Sequence, residues 1–168
     1  MNVTIRIPAP LLNSVRRDLN RPHAHAWERV GFMAAMAAAS PGELLLLVRG
    51  YQAVRDEDYV HAPGVGAEIG SEAFRRALQW AYRPKSALLH VHTHHGRGRP
   101  SFSGVDMRSG AEFVPSFFTT VPRMPQGMIV LSGDSADGLI WFAEDRDPVR
   151  VGAFTQIGTN YSRHWSEQ

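Results

Sequence analysis

The sequence of 168 residues contains no cysteine, a single lysine and no long apolar run. Without cysteine, the chain has no disulfide, no thiolate-bound zinc or iron–sulfur cluster and no thiol nucleophile. No apolar stretch approaches the roughly 20 residues that a membrane-spanning helix needs. Any hydrolytic chemistry must therefore use another nucleophile, such as a serine hydroxyl or a metal-bound water.

Basic residues are almost all arginine, with Lys85 the one lysine, and the formal net charge is only +2. The arginines are scattered, whereas a nucleic-acid interface needs a concentrated basic face. The opening residues MNVTIRIPAPLLN lack the basic and apolar regions of a signal peptide. We therefore expect a cytoplasmic protein whose partners include neither nucleic acid nor a membrane.

Length and hydrophobic patterning predict one domain over residues 1–168, of α/β (α+β) class, with a central mixed β-sheet flanked by helices. Residues 28–40 are open to two interpretations, because alanine favours a helix while the shortness of the segment allows a buried strand. The remaining pattern predicts helices after Pro10, from a capping Ser71 and over 103–114, and strands at 2–7, 43–48, 86–94, 127–131, 139–142 and 149–157.

Two stretches between these elements are predicted to be loops. Residues 50–70 are polar and glycine-containing and indicate an extended insertion. Residues 115–126 contain three prolines and are predicted to follow a helix that ends near Val114. The sequence SGDSADG between two predicted strands indicates a hairpin turn.

The most informative stretch is HVHTHH, residues 90–95. Side chains alternate across a strand, so His90, His92 and His94 share one face and His95 points to the other. Two imidazoles at i and i+2 can bind one metal ion from the end of a strand. A histidine-rich tract can also be an adventitious metal-binding surface.

The segment after the histidines contains Ser103-Gly104-Val105-Asp106. In one interpretation this is a helix capping box, in which Ser103 and Asp106 bond each other's backbone amides. In the other, Asp106 joins two histidines as a third ligand and leaves a fourth zinc position open for water. The two interpretations are compatible. A metal-bound water also requires a general base from another element.

The combination of His92-Thr93-His94, Ser103-x-x-Asp106 and an upstream Glu28-x-x-Gly31 resembles the JAMM (MPN+) metalloprotease family, especially its prokaryotic JAB branch. The order of predicted elements is also similar over most of residues 2–145. The resemblance implies one Zn²⁺ per chain bound by His92, His94 and Asp106. It also implies Glu28 as general acid/base and Ser103 as a hydrogen-bond donor to the oxyanion.

Two features depart from the family pattern. Eight residues separate His94 from Ser103, where seven are usual, and His95 replaces the usual proline after the second histidine. A second register would use His90 with His92. Thr93 favours His92 and His94, because the family places Ser or Thr between its ligands.

The resemblance implies an (iso)peptidase that cleaves after the C-terminal tail of a ubiquitin-like protein, in deconjugation or precursor processing. Its relatives accompany ubiquitin-like activating and conjugating enzymes, some of them in bacterial antiphage defence. Residues 50–70 and 115–126 would then be the candidate walls for the bound tail, with an acidic patch at 56–58. The alternatives are a JAB-fold peptidase acting on a sulfur-carrier protein or another small substrate, and a non-catalytic MPN-like scaffold.

Overall fold

A computed structural model describes residues 1–62 and 66–158. Within them are three α-helices: α1 (Ala9–Leu19), α2 (Ser71–Tyr82) and α3 (Gly104–Thr120). The eight strands are β1 (Asn2–Pro8), β2 (Val30–Ser40), β3 (Glu43–Ala53), β4 (Ala87–Thr93), β5 (Gln126–Leu131), β6 (Ala136–Trp141), β7 (Val149–Arg150) and β8 (Ala153–Ile157).

All eight strands form one mixed sheet in the order β7-β6-β5-β4-β2-β3-β1-β8. The parallel pairs are β1 with β3, β1 with β8, and β4 with β5; the other neighbours are antiparallel. Only Val151 and Gly152 separate β7 from β8, although these strands lie at opposite ends of the strand order. The sheet must therefore curl until its two edges lie side by side.

Apolar side chains pack on both faces of the sheet. One cluster joins the sheet to α1 through Leu12, Val15 and Leu19. The other joins it to α2 and α3 through alanines of α2 and through Val114, Phe117 and Phe118 of α3. This arrangement confirms the predicted α/β (α+β) class with a central mixed sheet and flanking helices.

Residues 30–40 form a strand, which decides the question that the alanine-rich sequence left open. Phe32 packs in the cluster beneath α2 and α3, while Met33 and Ala35 pack in the cluster beneath α1. Burial on both faces explains why the segment lacks polar alternation, and the sheet context outweighs the helical propensity of alanine.

Two predicted loops have the wrong boundaries. The predicted loop 115–126 begins inside α3, because the helix continues through Pro115 to Thr120. Pro115 cannot donate the i→i−4 hydrogen bond, but the buried Phe117 and Phe118 hold the last turns against the sheet. The insertion expected from residue 50 begins later, because β3 extends to Ala53.

Two further differences concern a cap and a strand. Gly70, not Ser71, is the N-cap of α2, and no side chain makes a capping hydrogen bond there. The predicted strand 149–157 is divided into β7 and β8, which pair with β6 and β1 at the two edges of the sheet. The predicted hairpin between β5 and β6 is confirmed. None of the described helices is long and apolar enough to cross a bilayer.

Candidate metal centre

The pairing of β2 with β4 brings the predicted base and the predicted histidine ligands to one end of the sheet. Val30 on β2 lies opposite His92 on antiparallel β4. Two positions beyond this pair lie Glu28, just before β2, and His94, just after β4. Helix α3 begins nearby and carries Asp106 in its first turn.

The segment that carries Glu28 is held by hydrogen bonds on both sides. The backbone amides of Trp27 and Glu28 donate to the carbonyl of Gly66 at 2.8 and 3.0 Å. Arg29 is 2% exposed, and its guanidinium donates to the carbonyls of Arg21 and Pro22 and to Asp56 Oδ1 at 2.8 Å. The side chain of Glu28 therefore extends from a backbone segment that these hydrogen bonds fix just before β2.

Gly31, the last residue of the Glu28-x-x-Gly31 motif, has a packing role. A β-carbon at this position would overlap the ring of Tyr51, a residue of the neighbouring strand β3. The close approach explains why glycine is needed three residues after Glu28.

The side chains of Glu28, His92 and His94 form a group that can hold a metal ion, because one ligand atom of each lies within 4.8 Å of the others. Asp106 adjoins the same group: its Oδ1 is 3.4 Å from His92 Nε2 and its Oδ2 is 3.4 Å from His94 Nε2. Ligand atoms of a tetrahedral zinc site with bonds of about 2.0–2.1 Å lie about 3.3–3.4 Å apart. Each 3.4 Å spacing is therefore of the size found between two ligands of one zinc ion, and the two rings face different oxygens of Asp106.

The buried imidazole of His92 supports the same interpretation. His92 is 3% exposed, and neither of its ring nitrogens makes a hydrogen bond with the described residues. The contact with Asp106 at 3.4 Å is too long and poorly aligned to replace one. A buried polar atom without a partner is costly, and a metal ion at Nε2 would remove this cost for one of the two nitrogens.

Ser103 and Asp106 form the predicted capping box. The Asp106 amide donates to Ser103 Oγ at 3.1 Å, and the Ser103 amide donates to Asp106 Oδ2 at 2.6 Å. Although burial alone would raise the pKa of Asp106, the contact with His92 and these bonds to Ser103 lower it well below its ordinary value. The capping role leaves Oδ1 available to a metal ion, because Oδ1 makes none of the capping bonds.

His90 stands apart from the group. Its ring packs against Phe113 and Phe32, with centroids 4.9 and 5.5 Å away. Burial is the main cause that lowers the pKa of His90 to about 3, so the imidazole is neutral. The rings of His90, His92 and His94 do follow one another along one face, at 5.9 and 5.0 Å, but His92 and His94 are the pair that faces Glu28 and Asp106.

The extra residue between His94 and Ser103 lies in a loop that contains two glycines with positive φ. Gly96 and Gly98 adopt positive φ angles of 116° and 82°, which favour glycine. The amide of Gly98 donates to Asp134 Oδ1 at 2.7 Å, which holds the loop on the β5–β6 hairpin. His95, at the position of the usual proline, is exposed.

The two candidate walls differ in their relation to this site. Residues 66–69, in the second half of the insertion, line the cavity beside the metal group, whereas 63–65 lie outside the described residues. None of the described lining residues comes from 115–126, because its first six residues belong to α3 and Phe117 packs in the core. That range is therefore not a wall of this cavity.

The acidic patch at 56–58 is also largely occupied within the chain. Asp56 pairs with the buried Arg29, and Asp58 pairs with Arg76 on α2. The hydrogen bond from Arg29 lowers the pKa of Asp56. Of the three acids, Glu57 is the most exposed, at 70%, so the patch is a structural feature more than a surface for a basic tail.

Sequence reasoning missed several residues around the site. Gly66 lies against the Glu28 carboxylate, so that a β-carbon at this position would fall 2.8 Å from Oε2. His23 and His25, which have no evident partners in the sequence, are half-buried and pack edge to face with ring centroids 4.5 Å apart, while His164 lies outside the described residues. Neither Gly66 nor Arg29 belongs to a sequence pattern that would indicate its role at the site.

Comparison with known proteins identifies a distant structural likeness and no matching family. No protein-family model matches the sequence, and no curated protein matches it. Among solved structures, the chain is similar to the Trichoplax adhaerens STIL N-terminal domain, with 12% identity and a TM-score of 0.45. The match covers 83% of this chain and 41% of that one. A likeness at this level says nothing about function, so the chemistry of the site rests on its own residues.

Proposed function

We propose that the protein is a zinc-dependent (iso)peptidase that cleaves after the C-terminal tail of a ubiquitin-like protein. The observation that carries the proposal is the convergence of His92, His94 and Asp106 with a second carboxylate, Glu28, from the segment just before β2. Three ligands and a nearby free carboxylate are the elements of a hydrolytic metal site. The substrate class comes from the motif resemblance.

Each residue of the group would have its own role. His92, His94 and Asp106 would hold the zinc, which when bound polarises a carbonyl and lowers the pKa of its water to about 7. Glu28 would take the proton from the attacking water and pass it to the leaving amine. The Ser103 oxygen accepts from the Asp106 amide, which leaves its O–H free to donate to the oxyanion.

A second function is favoured by one specific observation. Glu28 itself belongs to the group of mutually close ligand atoms. With Glu28, His92, His94 and Asp106 all bound, the metal would have four protein ligands and no position for water, as in a structural site. Such a closed site would suit the alternative of a non-catalytic MPN-like scaffold.

The experiment is cleavage of a fusion in which a ubiquitin-like protein precedes a reporter, with stoichiometric zinc and with chelator. We expect cleavage that requires zinc and falls by about a hundredfold or more in Glu28→Ala. Glu57→Ala is the matched control, since Glu57 is an exposed acid on a nearby turn. Zinc-independent cleavage, or full activity in Glu28→Ala, would overturn the proposal.

A further inference from the structure

A cavity of about 490 Å³ continues from the metal group into the space between α2 and α3. Its volume falls within the range of about 300–1,000 Å³ found for small-molecule sites, so it can hold a large side chain. Six of its lining residues present mainly apolar or aromatic surface: Ile69, Phe74, His90, Val105, Phe113 and Met128. We call the part of the cavity lined by these six residues the side chamber.

The side chamber is walled by aromatic rings that are only partly covered by the protein. Phe74 on α2 and Phe113 on α3 are half-buried, with centroids 5.5 Å apart, and His90 lies 4.9 Å from Phe113. Partly covered rings on two helices expose apolar surface that an apolar side chain could bury. Aromatic occupants gain a further contribution from edge-to-face or offset contacts.

Charge around the chamber has one sign. Glu28, Glu68, Asp106 and Glu112 line the cavity, and none of its described lining residues is Lys or Arg. A bound divalent ion would offset the two carboxylates nearest to it, and the Glu68 and Glu112 charges would remain. Acidic side chains are therefore disfavoured in the chamber, and an uncharged side chain is favoured.

We propose that the side chamber is a specificity pocket that binds a large apolar side chain, preferably aromatic, from the residue on one side of the bond that is cleaved. The link to a cleaved bond rests on the proposed function, whereas the preference of the chamber itself does not. A glycine beside the cleaved bond would leave these apolar walls in contact with water. The chamber thus adds a side-chain requirement at one of the two residues that flank the bond.

The first test measures hydrolysis. Two series of quenched fluorescent peptides, identical except for one residue, place Gly, Leu, Phe, Tyr or Asp directly before or directly after the bond. Burial of a large apolar side chain in the chamber is worth about tenfold to a hundredfold in kcat/KM. We expect this preference, for Phe or Tyr over Gly and Asp, in one of the two series.

The second test measures binding without catalysis. Met128 lines the chamber, whereas Met33 is buried in the core beneath α1. With methyl-labelled methionine, we expect N-acetylphenylalanine amide to shift the NMR signal of Met128 but not that of Met33. N-acetylglycine amide should shift neither signal.

A matched pair of variants locates the effect. Ser109 is exposed on α3 and lines the cavity, while Ala111 is exposed on the same helix and is not among the lining residues. Ser109→Phe should fill the chamber and abolish both the peptide preference and the Met128 shift, whereas Ala111→Phe should preserve both.

The two tests separate the two proposals. A Met128 shift that Ser109→Phe removes, with neither the peptides nor the ubiquitin-like fusion cleaved in the presence of zinc, would keep the pocket and overturn the peptidase function. Cleavage with no preference in either series, or absence of the Met128 shift, would overturn the pocket.

Discussion

Substitution of Gly66 by alanine should displace the Glu28 carboxylate while the fold stays intact. The new β-carbon would lie 2.8 Å from Glu28 Oε2 and 2.9 Å from Cδ, and ordinary contact begins at 3.4 Å. The carboxylate must therefore move by about 0.6 Å, which the end of a flexible side chain can do at little cost in stability. The Gly66 carbonyl still accepts from Trp27 and Glu28.

The catalytic effect of that movement can be estimated. Misplacement of a reacting group by about 1 Å costs up to about a hundredfold in rate, so a shift of about 0.6 Å should lower kcat by about tenfold. The free energy of unfolding should change by no more than about 0.5 kcal/mol, because loss of glycine also restricts the unfolded chain.

The assay measures kcat on the ubiquitin-like fusion together with urea unfolding and zinc content. Gly70→Ala is the matched control, because a β-carbon there meets only the Asp58 carbonyl at an ordinary 3.6 Å. Equal kcat in Gly66→Ala and Gly70→Ala, with zinc bound in both, would refute the role assigned to the Glu28 position.

Two further predictions concern the metal and acid stability. His92→Ala should lose the bound zinc, whereas His90→Phe should retain about one zinc per chain, because His90 faces phenylalanine rings; zinc retained in His92→Ala would contradict the ligand assignment. Because the hydrogen bond from Arg29 lowers the folded-state pKa of Asp56, their pairing stabilises the fold above the ordinary carboxyl pKa near 4 and is lost as pH falls through the lower folded-state value. Asp56→Asn should therefore be less stable than the parent chain in urea at pH 7, with the gap closing as the pH falls below the ordinary carboxyl pKa; a constant gap would contradict this account.

The elements that sequence predicted well have one-sided or strongly apolar patterns. The alternation of residues 2–7 and the run 43–48 predict β1 and the start of β3, because burial determines which side chains these strands present. The stripe after Pro10 predicts α1 for the same reason.

The elements that sequence predicted poorly depend on distant partners. Proline disfavours the interior of a helix, and α3 continues through Pro115 where Phe117 and Phe118 pack in the core. Residues 149–157 form two strands because the sheet curls. The residues before Val151 pair with β6 at one edge, and the residues after Gly152 pair with β1 at the other edge. No local pattern encodes either contact.

The candidate site shows the same division. The spacing of His92, His94 and Asp106 is visible in the sequence because all three lie between the end of β4 and the first turn of α3. Gly66 and Arg29 could not be predicted, since their roles depend on contacts with Glu28 and Asp56 across loops.

The most direct test of the hydrolytic site is a paired measurement on Glu28→Gln. Zinc affinity is determined by competition with a chelator, and hydrolysis of the fusion is measured on the same samples. If Glu28 is the general base, zinc affinity should stay within about threefold of the parent chain while kcat falls by about a hundredfold or more. A loss of zinc affinity of about a hundredfold would instead make Glu28 a fourth ligand and contradict the hydrolytic site.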